Sequence, residues 1–371
     1  MKINILSPGR FHVCDLAREL DKNGFNVKFY SFVPTKRAVK FGLSKQCCSS
    51  LLIYLAPFLF LEKIVFKKKE WTKKLRIIVQ DYLTAMLMRR CDVLIAMSGD
   101  FLSAVKKAKK QGTLIILERG SKYILEQRRI LESIPSLKSK KPVPDMNVKR
   151  ELEGYQLADY IAVASQHVVD SFLLYNYPQE KLFKNPYGVD LSMFAPQPNV
   201  KKKYDFIMVG GWCYRKGCDL IIEAIKKTQY TLLHVGGITD IKFPNDKQFT
   251  HIDPVDQSKL SAYYAQAKIF ILPSREEGLA MVQAQAIACN LPLIGSKDSG
   301  ASDLRKLVEY PQYITILNKY TVDALIKVMN EAMASYPSLG NKIYAGTAIK
   351  NLTWEAYGKR YAQFLHKITK K

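Results

Sequence analysis

The sequence lacks several signatures that would assign a function at once. It contains no G-x-G-x-x-G dinucleotide fingerprint and no G-x-x-x-x-G-K-[ST] phosphate loop. Its seven cysteines include no C-x-x-C pair, which argues against a zinc ribbon, and their odd number argues against a disulfide framework. The N-terminus also lacks the apolar stretch of a secretory signal. We therefore expect a reduced, cytoplasmic setting.

Long apolar runs are absent as well. The longest, Leu51–Leu61, has eleven residues and contains a proline, whereas a bilayer span needs roughly 20. It is predicted to form a buried helix or an interfacial segment. The next stretch, Lys69–Tyr82, places apolar residues at helical spacing between Trp71 and Tyr82, with lysines on other faces. This pattern indicates a basic amphipathic helix, which either lies on a membrane or packs its apolar face on its own domain.

Acidic residues are scarce in one third of the chain. The net charge is +24, and residues 31–150 hold 26 Lys and Arg against 9 Asp and Glu, a local excess of +17. Such a region attracts polyanions, which could be nucleic acid, an anionic bilayer or a phosphorylated substrate. The overall composition, with 48% hydrophobic and 24% charged residues, is that of a globular protein.

Alternating apolar strands and amphipathic helices predict an α/β fold. Strands are expected at Lys2–Ser7 and Asp92–Ser98, and the alternation restarts at Asp205 after a proline-containing linker, Asn185–Asn199. Apolar strands separated by helices predict parallel sheets covered on both faces. With 371 residues, we expect two doubly wound, Rossmann-like domains that join near residue 190.

Ligands of such sheets bind at the carboxyl ends of the strands, where glycine turns precede helices. After the first strand stands a turn with Gly9, Arg10 and His12, which a structural turn would explain equally well. Arg119 ends another strand and could meet a phosphate or simply be solvated. The turn from Gly210 through Gly217 is more informative, because Arg215 and Lys216 place positive charge at a helix start, where it opposes the helix dipole unless an anion binds.

The loop and helix from Pro273 to Ala286 form the most specific candidate site. Glu277 follows an apolar strand, and Gln285 lies about a turn and a half into the next helix. A carboxylate and an amide placed in this way could bind the hydroxyls of a sugar or ribose. Favourable acidic residues at a helix N-terminus would explain Glu276 and Glu277, but not the glutamines Gln283 and Gln285 in an otherwise apolar helix.

The segment from Glu277 to Gln285 resembles the Glu-x7-Glu motif of the retaining glycosyltransferases of family 4, also called group 1, which have the GT-B fold. Arg215-Lys216-Gly217 resembles their phosphate turn, Asn185–Asp190 their interdomain linker, and Thr353–Glu355 the start of their C-terminal helix. The resemblance implies GT-B architecture, with two Rossmann-like domains facing across a cleft. The implied divisions are an acceptor domain at 1–190, a nucleotide-sugar donor domain at 191–352 and a helix at 353–371 that crosses back.

By this resemblance Lys216, with Arg215, neutralises the donor diphosphate, Glu277 contacts the donor sugar and Gln285 the ribose. The expected catalytic groups are the charged residues Lys216, Arg215 and Glu277. The other residues expected at the donor lie in the glycine turns and at the helix start: Gly9, Arg10, His12, Arg119, Gly210, Gly211, Gly278, Leu279, Ala280 and Met281. The chain departs from the family at Gln285, which replaces a glutamate, at Gly211, which replaces a common arginine, and at Tyr123, which stands near the usual position of a histidine.

The resemblance implies a retaining transferase that moves a sugar from a nucleotide-sugar donor, UDP- in preference to GDP-, to a glycan, glycolipid or protein hydroxyl. No D-x-D pair occurs, so we expect neither a metal nor a cofactor to be required. The enzyme is expected to be cytoplasmic and peripheral at the inner face of an anionic membrane, with no nucleic acid bound. The alternatives are a nucleotide-sugar epimerase of the same fold and a basic nucleic-acid-binding protein.

Overall fold

Two parallel β-sheets, one in each half of the chain, form the framework of the molecule. The computed structural model describes residues 1–66, 69–197, 199–340 and 342–369; Pro198 of the predicted linker lies outside the described residues. In both sheets the chain winds outward from a central strand in two directions, so that helices cover both faces. The predicted fold class is confirmed.

The first sheet has seven strands, in the order β3-β2-β1-β4-β5-β6-β7. These strands are β1 (Lys2–Ser7), β2 (Asn26–Ser31), β3 (Cys48–Ser50), β4 (Val93–Met97), β5 (Leu114–Arg119), β6 (Tyr160–Val163) and β7 (Leu182–Lys184). The helices between them are α1 (His12–Lys22), α2 (Thr35–Lys40), α3 (Leu52–Ile64), α4 (Glu70–Leu87), α5 (Leu102–Lys110), α6 (Ile124–Glu132), α7 (Pro135–Lys138), α8 (Asp145–Leu157) and α9 (Gln166–Leu173).

The second sheet has six strands, in the order β10-β9-β8-β11-β12-β13. They are β8 (Tyr204–Val209), β9 (Leu232–Val235), β10 (Phe249–Ile252), β11 (Ala267–Leu272), β12 (Leu293–Ser296) and β13 (Ile314–Leu317). The helices are α10 (Cys218–Lys226), α11 (Leu260–Tyr264), α12 (Met281–Ala288), α13 (Ala301–Arg305), α14 (Val322–Ser335) and α15 (Trp354–Thr369). Short 3-10 turns, including Tyr214–Lys216, join several of them.

The central strands are buried on both faces, which explains their nearly continuous apolar sequences. The predicted strand Lys2–Ser7 has the same bounds in the structure, and the strand predicted at Asp92–Ser98 is shorter by one residue at each end. Between β10 and β11 the chain forms a 3-10 turn, Gln257–Lys259, and the short α11, which ends before Ala267 begins β11.

The last helix ties the two domains together. Val189 in the linker donates its amide to the Leu352 carbonyl (2.7 Å), just before α15 begins. Within α15, Arg360 donates to the Pro186 carbonyl (2.8 Å) and to the Asn185 side chain (2.7 Å). The helix then packs against α1 of the first domain. The interdomain crossing is therefore held by the C-terminal helix.

Contact between α15 and α1 depends on a glycine. Gly358 faces the side chain of Glu19 so closely that no Cβ would fit between the helices. We expect Gly358→Ala to lower the free energy of unfolding by about 1–3 kcal/mol, because overpacking outweighs the better helix propensity of alanine. Urea denaturation followed by circular dichroism measures this.

Gly237→Ala is the matched control for that substitution. A Cβ at position 237 would meet its nearest neighbour, Pro254 Cγ, at an ordinary 3.8 Å, so this variant should unfold like the parent. Equal or greater stability of Gly358→Ala would show that α15 does not pack tightly on α1.

Candidate active site

Two loops meet at the carboxyl edge of the second sheet. Strands β8 and β11 are parallel neighbours, so the loops that follow them leave the sheet side by side. The loop after β8 contains two glycines and the 3-10 turn Tyr214–Lys216, and the loop after β11 runs through 273–280 into α12. The strand order therefore brings Lys216 to Glu277, although the two residues are 61 positions apart in the sequence.

Glu277 pairs with both cations of the first loop. Its Oε2 lies 2.8 Å from Lys216 Nζ and 3.0 Å from Arg215 Nη1. Arg215 also donates to the backbone carbonyl of Glu276 at 2.8 Å. The side chains of Lys216 and Glu277 are only 12% and 18% exposed. We call Arg215, Lys216 and Glu277 the ion triad.

Two glycines allow the loops to approach. Gly217 has φ +74° and packs against the Pro273 carbonyl, where no Cβ would fit. Gly210 has φ +124°, and Lys216 passes over it, with Cε 3.5 Å from the position that a Cβ would take. The glycine turn thus sets the path of the lysine side chain.

The two cations determine the charge of Glu277. Burial alone would raise the pKa of its carboxyl group, but Lys216 and Arg215 outweigh burial and lower the pKa to about 2. In turn, the carboxylate of Glu277 raises the pKa of Arg215. Glu277 and Arg215 are therefore both charged at neutral pH.

The neighbouring carboxylate, Glu276, points to the first domain. It is fully buried; its Oε1 accepts from Ser121 Oγ and from the Lys122 amide (3.3 Å), and its Oε2 accepts from Gln127 Nε2 (3.2 Å). The sequence indicated only a favourable acid at a helix start. This interdomain role was missed because the partners are more than 140 residues away.

Backbone groups of the same loop also contact the first domain. The Gly278 carbonyl accepts from Ser165 Oγ at 2.8 Å, and Gly278 packs on Gly120 with no room for a Cβ. The Glu277 carbonyl accepts from His167 Nε2 at 2.8 Å. Burial lowers the pKa of His167, so its ring is a neutral donor. Loop 273–280 is therefore held from both domains at once.

The predicted donor residues of the first domain lie on the turn after β1 and at the start of α1. The Gly9 carbonyl accepts from Ser7 Oγ at 2.7 Å. Arg10 lies over the Phe41 ring (3.6 Å to its centroid) and donates across the cleft to Gln257 Oε1 at 2.9 Å. Two of these residues, Gly9 and Arg10, are solvent-accessible.

His12 is buried beneath that turn. Its Nε2 lies 2.9 Å from Glu118 Oε2, while Tyr361 of α15 donates to the other oxygen of Glu118 at 2.7 Å. The His12 ring packs on Tyr187, with the ring centroids 4.3 Å apart. The same contacts that fix His12 therefore fix α15 on the first domain.

Other predicted residues are engaged elsewhere. Arg119 is buried, with its guanidinium 2.6 Å from Glu151 and donating to the Lys122 carbonyl and to Gln127; these partners all belong to the first domain. The Tyr123 ring stacks on Tyr175 in an aromatic cluster. The structure does not bring Arg119 or Tyr123 to the ion triad.

The two glutamines of α12 have different surroundings. Gln285 accepts from Tyr264 Oη at 3.1 Å, and among the described residues its Nε2 has no hydrogen-bond partner. Gln283 donates to the Ser299 carbonyl at 3.0 Å and is fully buried. Gln285 therefore retains a donor that a ligand could use, whereas Gln283 joins α12 to the loop after β12.

A cavity of about 660 Å³ lies between the domains. Its lining combines Arg10, His12 and Lys40 of the first domain with Gln257 and Met281 of the second, and Trp354 of α15. The ion triad does not line this cavity, but Met281 is the first residue of α12 and follows directly on the loop that carries Glu277. The cleft thus adjoins the N-terminus of α12.

Comparison with known proteins finds a family resemblance in the second half of the chain. Residues 192–348 match the family model described as Glycosyl transferases group 1. The predicted resemblance to this family is confirmed, and the matched residues contain the whole ion triad and Gln285. Neither an epimerase nor a nucleic-acid-binding protein is favoured by these comparisons.

Among curated proteins, the chain is 25% identical over 242 residues to a GDP-mannose-dependent alpha-(1-6)-phosphatidylinositol monomannoside mannosyltransferase of Mycolicibacterium smegmatis. The alignment covers 56% of this chain and 62% of that protein. A probable sucrose-phosphate synthase of Thermosipho melanesiensis is 24% identical over 60% of this chain and 57% of its own length. The chain therefore matches less than two thirds of either relative.

Solved structures resemble the whole chain. Sucrose-phosphate synthase from Thermosynechococcus elongatus superposes with a TM-score of 0.72 at 15% identity, covering 100% of this chain and 99% of that one. HepE of Anabaena, in complex with UDP-glucose, superposes with a TM-score of 0.65 at 13% identity, covering 99% and 100%. The chain has the GT-B fold of these proteins.

The depressed pKa of Glu277 predicts a pH-dependent contribution to stability. The folded-state pKa of about 2 lies below the ordinary value of 4.5, so the contribution is complete above about pH 5 and is lost as the pH falls towards 2. Compared with Glu277→Gln, the parent should lose about 2 kcal/mol of unfolding free energy between pH 5 and pH 3. Urea titrations at each pH measure the difference.

Glu331→Gln, which removes an exposed carboxylate from α14, is the control for the loss of one negative charge. A stability difference between the parent and Glu277→Gln that stays constant from pH 5 to pH 3 would contradict the ion pairing of Glu277 with Lys216 and Arg215.

Proposed function

We propose that this chain, with its group 1 glycosyltransferase domain, is a retaining transferase that moves a sugar from a nucleotide-sugar donor to a hydroxyl acceptor. The observation that supports this most strongly is the ion triad, which concentrates two cations and one carboxylate beside the interdomain cleft. A diphosphate needs the cations, and a sugar with developing positive charge needs the carboxylate. We propose that the pathway is cell-surface glycan or glycolipid synthesis.

Lys216 and Arg215 are proposed to hold the donor diphosphate. When the glycosidic bond breaks, negative charge grows on the leaving phosphate oxygen, and fixed cations stabilise that charge best in a cleft closed to water. The amides of Leu279, Ala280 and Met281 precede or begin α12 and add the positive end of its dipole. The diphosphate would thereby replace Glu277 as the partner of the two cations.

Glu277 is proposed to orient the donor sugar. Because Lys216 and Arg215 hold its pKa at about 2, it is a carboxylate when the donor arrives. Once the diphosphate has taken the two cations, the carboxylate can accept hydrogen bonds from sugar hydroxyls, which favour its charged form, and stabilise positive charge on the ring in the oxocarbenium-like transition state. Gln285, with its free amide nitrogen, would donate to a ribose hydroxyl.

We propose that the reaction requires no metal ion. Two side-chain cations already supply the charge that a divalent metal would otherwise bring to the diphosphate, and the sequence has no D-x-D pair. Among the described residues, no group of three or more His, Cys, Asp or Glu is placed to hold a metal ion.

The donor base is proposed to be uracil. Solved structures of HepE contain UDP and UDP-glucose, whereas the mannosyltransferase relative is named as dependent on GDP-mannose. A thermal-shift screen of UDP-, GDP- and ADP-sugars, followed by incubation with and without acceptor, tests both donor and reaction. Conversion of the donor without any acceptor would instead indicate an epimerase.

The first domain is proposed to bind the acceptor. Its segment 31–150 carries the local charge of +17, which fits an anionic acceptor or an anionic membrane at the inner face of the cell envelope. A peripheral location there would bring a glycolipid acceptor to the cleft.

The two ends of the Glu277–Gln285 motif should affect different kinetic constants. Glu277→Gln should lower kcat about 100-fold, since its charge acts on the transition state. Gln285→Ala should raise the donor KM about 2- to 10-fold with little change in kcat, because a neutral hydrogen bond contributes similarly to ground and transition states. Gln285→Glu keeps the acceptor for Tyr264 and should be tolerated. Steady-state kinetics with varied donor measures all three; the reverse pattern, with kcat lost only at position 285, would overturn these roles.

Lys216→Ala should lower kcat/KM for the donor by about 100-fold or more, because a fixed partner of the leaving group is lost. Lys226→Ala, an exposed lysine of α10 in the same domain, should be neutral. The turnover of the parent and that of the Lys226→Ala control should persist in excess EDTA. Normal donor affinity and turnover in Lys216→Ala would show that Lys216 does not meet the diphosphate, and loss of parent activity in EDTA would refute metal independence.

A further inference from the structure

Exposed apolar side chains are concentrated on one helical hairpin of the first domain. Of the eighteen large apolar residues that are exposed in the described chain, ten lie between residues 53 and 86. We call them the hairpin surface: Ile53, Tyr54, Phe60, Leu61, Ile64 and Val65 on and after α3, and Trp71, Ile78, Tyr82 and Met86 on α4. Ile53 and Tyr82 are 75% and 66% exposed. A concentration of exposed apolar side chains of this kind marks an interaction site.

Helix α4 is anchored to the domain by the side that lies opposite its exposed apolar residues. Asp81 is buried and accepts from the backbone amides of Ser103 (2.9 Å) and Ala104 (3.1 Å), while Arg150 pairs with it at 2.8 Å. Thr84 is also buried, one turn further along. The same side of α4 packs Val79, Leu83 and Leu87 against the core of the domain. Helix α4 therefore packs on its own domain, as one of the two alternatives predicted, but it leaves Trp71, Ile78, Tyr82 and Met86 exposed on its other side.

Helix α3 buries little of its apolar sequence. In the described chain its only buried residues are Leu55 and Glu62. Glu62 is turned inward, where it accepts from Thr72 Oγ1 at 2.9 Å and pairs with Arg76 at 3.3 Å. The buried carboxylates Glu62 and Asp81 thus contribute no negative charge to the outer face of the hairpin.

Cations border the hairpin surface instead. Lys63, Lys69 and Lys74 are exposed on α3, at the turn and on α4. Apolar side chains bordered by lysines are complementary to an anionic bilayer, whose headgroups attract the lysines and whose acyl boundary accepts the apolar groups. Among the described helices none is long and apolar enough to cross a membrane, so the hairpin would lie in the interface.

We propose that the hairpin surface of α3 and α4 is a membrane-docking element that inserts into the headgroup region of an anionic leaflet. The purpose of this docking rests on the proposed function. Helix α3 starts directly after β3, at the edge of the sheet that also carries Gly9 and Arg10. Docking here brings the cleft edge to the bilayer, where a lipid-linked acceptor would enter.

Vesicle binding tests the proposal without any donor or acceptor. The full chain is mixed with vesicles of phosphatidylcholine containing phosphatidylglycerol, or of phosphatidylcholine alone, and binding is measured by cosedimentation at increasing salt. We expect binding to the anionic vesicles, weakening as salt rises, and little binding to neutral ones. Equal binding to both, or none to either, would overturn the proposal.

Trp71 reports insertion directly. It is 47% exposed, whereas Trp212 is fully buried. Anionic vesicles should shift the fluorescence to shorter wavelength, and brominated lipids should quench it. Both effects should be lost in Trp71→Phe, which keeps an apolar side chain on the surface. Binding without any change in Trp71 emission would show electrostatic adsorption only and would refute insertion.

Matched substitutions separate this surface from the rest of the molecule. Phe60→Ser with Ile64→Ser should weaken vesicle binding about tenfold or more, while Leu174→Ser with Ile343→Ser, which changes two exposed apolar residues elsewhere, should not. Lys63→Gln with Lys74→Gln should weaken it about fivefold per lysine, unlike Lys226→Gln with Lys227→Gln. Equal effects of test and control pairs would contradict the proposal.

Two further measurements distinguish other outcomes. If sedimentation shows a dimer that the Phe60 and Ile64 substitutions dissociate, while vesicle binding is unchanged, the surface is an interface between copies of the chain and the proposal fails. UDP binding in solution should be the same in all these variants. If the parent chain does not bind UDP, the proposed function is refuted, but vesicle binding still tests the docking proposal.

Discussion

The pairing of one buried carboxylate with two cations organises this molecule. A lone carboxylate in the position of Glu277 would favour its neutral form, because burial raises its pKa, yet Lys216 and Arg215 hold it ionised. Equally, the two cations, which are consecutive residues of one loop, would repel each other without it. The pairing depends on the parallel neighbours β8 and β11, whose carboxyl ends bring the two loops together.

The adjacent residues Glu276 and Glu277 connect this pairing to the cleft. One carboxylate holds the cations of the second domain, and the other accepts hydrogen bonds from Ser121, the Lys122 amide and Gln127 of the first. Any ligand that draws Lys216 or Arg215 away from Glu277 therefore acts on a loop that both domains hold. Donor binding and domain closure would be coupled through this short segment.

Sequence reasoning predicted the framework well, for a physical reason. Strands buried on both faces must be apolar and helices on a sheet must be amphipathic, so the alternation of the two patterns is visible in the sequence. Strands of three residues, such as β3 and β7, are too short for that signal. Glu277 and Lys216 were predicted because a motif and a charge at a helix start marked them.

Partners separated by long stretches of chain could not be predicted. The engagement of Arg119 by Glu151, the contact of Arg10 with Gln257 and the interdomain bonds of Glu276 depend on tertiary contacts that no local pattern encodes. The hairpin surface illustrates the same limit. The spacing in α4 predicted an amphipathic helix, but only the structure shows that Trp71, Ile78 and Tyr82 are exposed while Val79 and Leu83 pack on the domain.

A crystal structure of the chain with bound UDP would test the central claim most directly. The account predicts diphosphate oxygens within hydrogen-bond distance of Lys216 Nζ and the Arg215 guanidinium, with the Glu277 carboxylate displaced from both. A diphosphate bound elsewhere in the cleft, with the three side chains still paired as they are here, would contradict it.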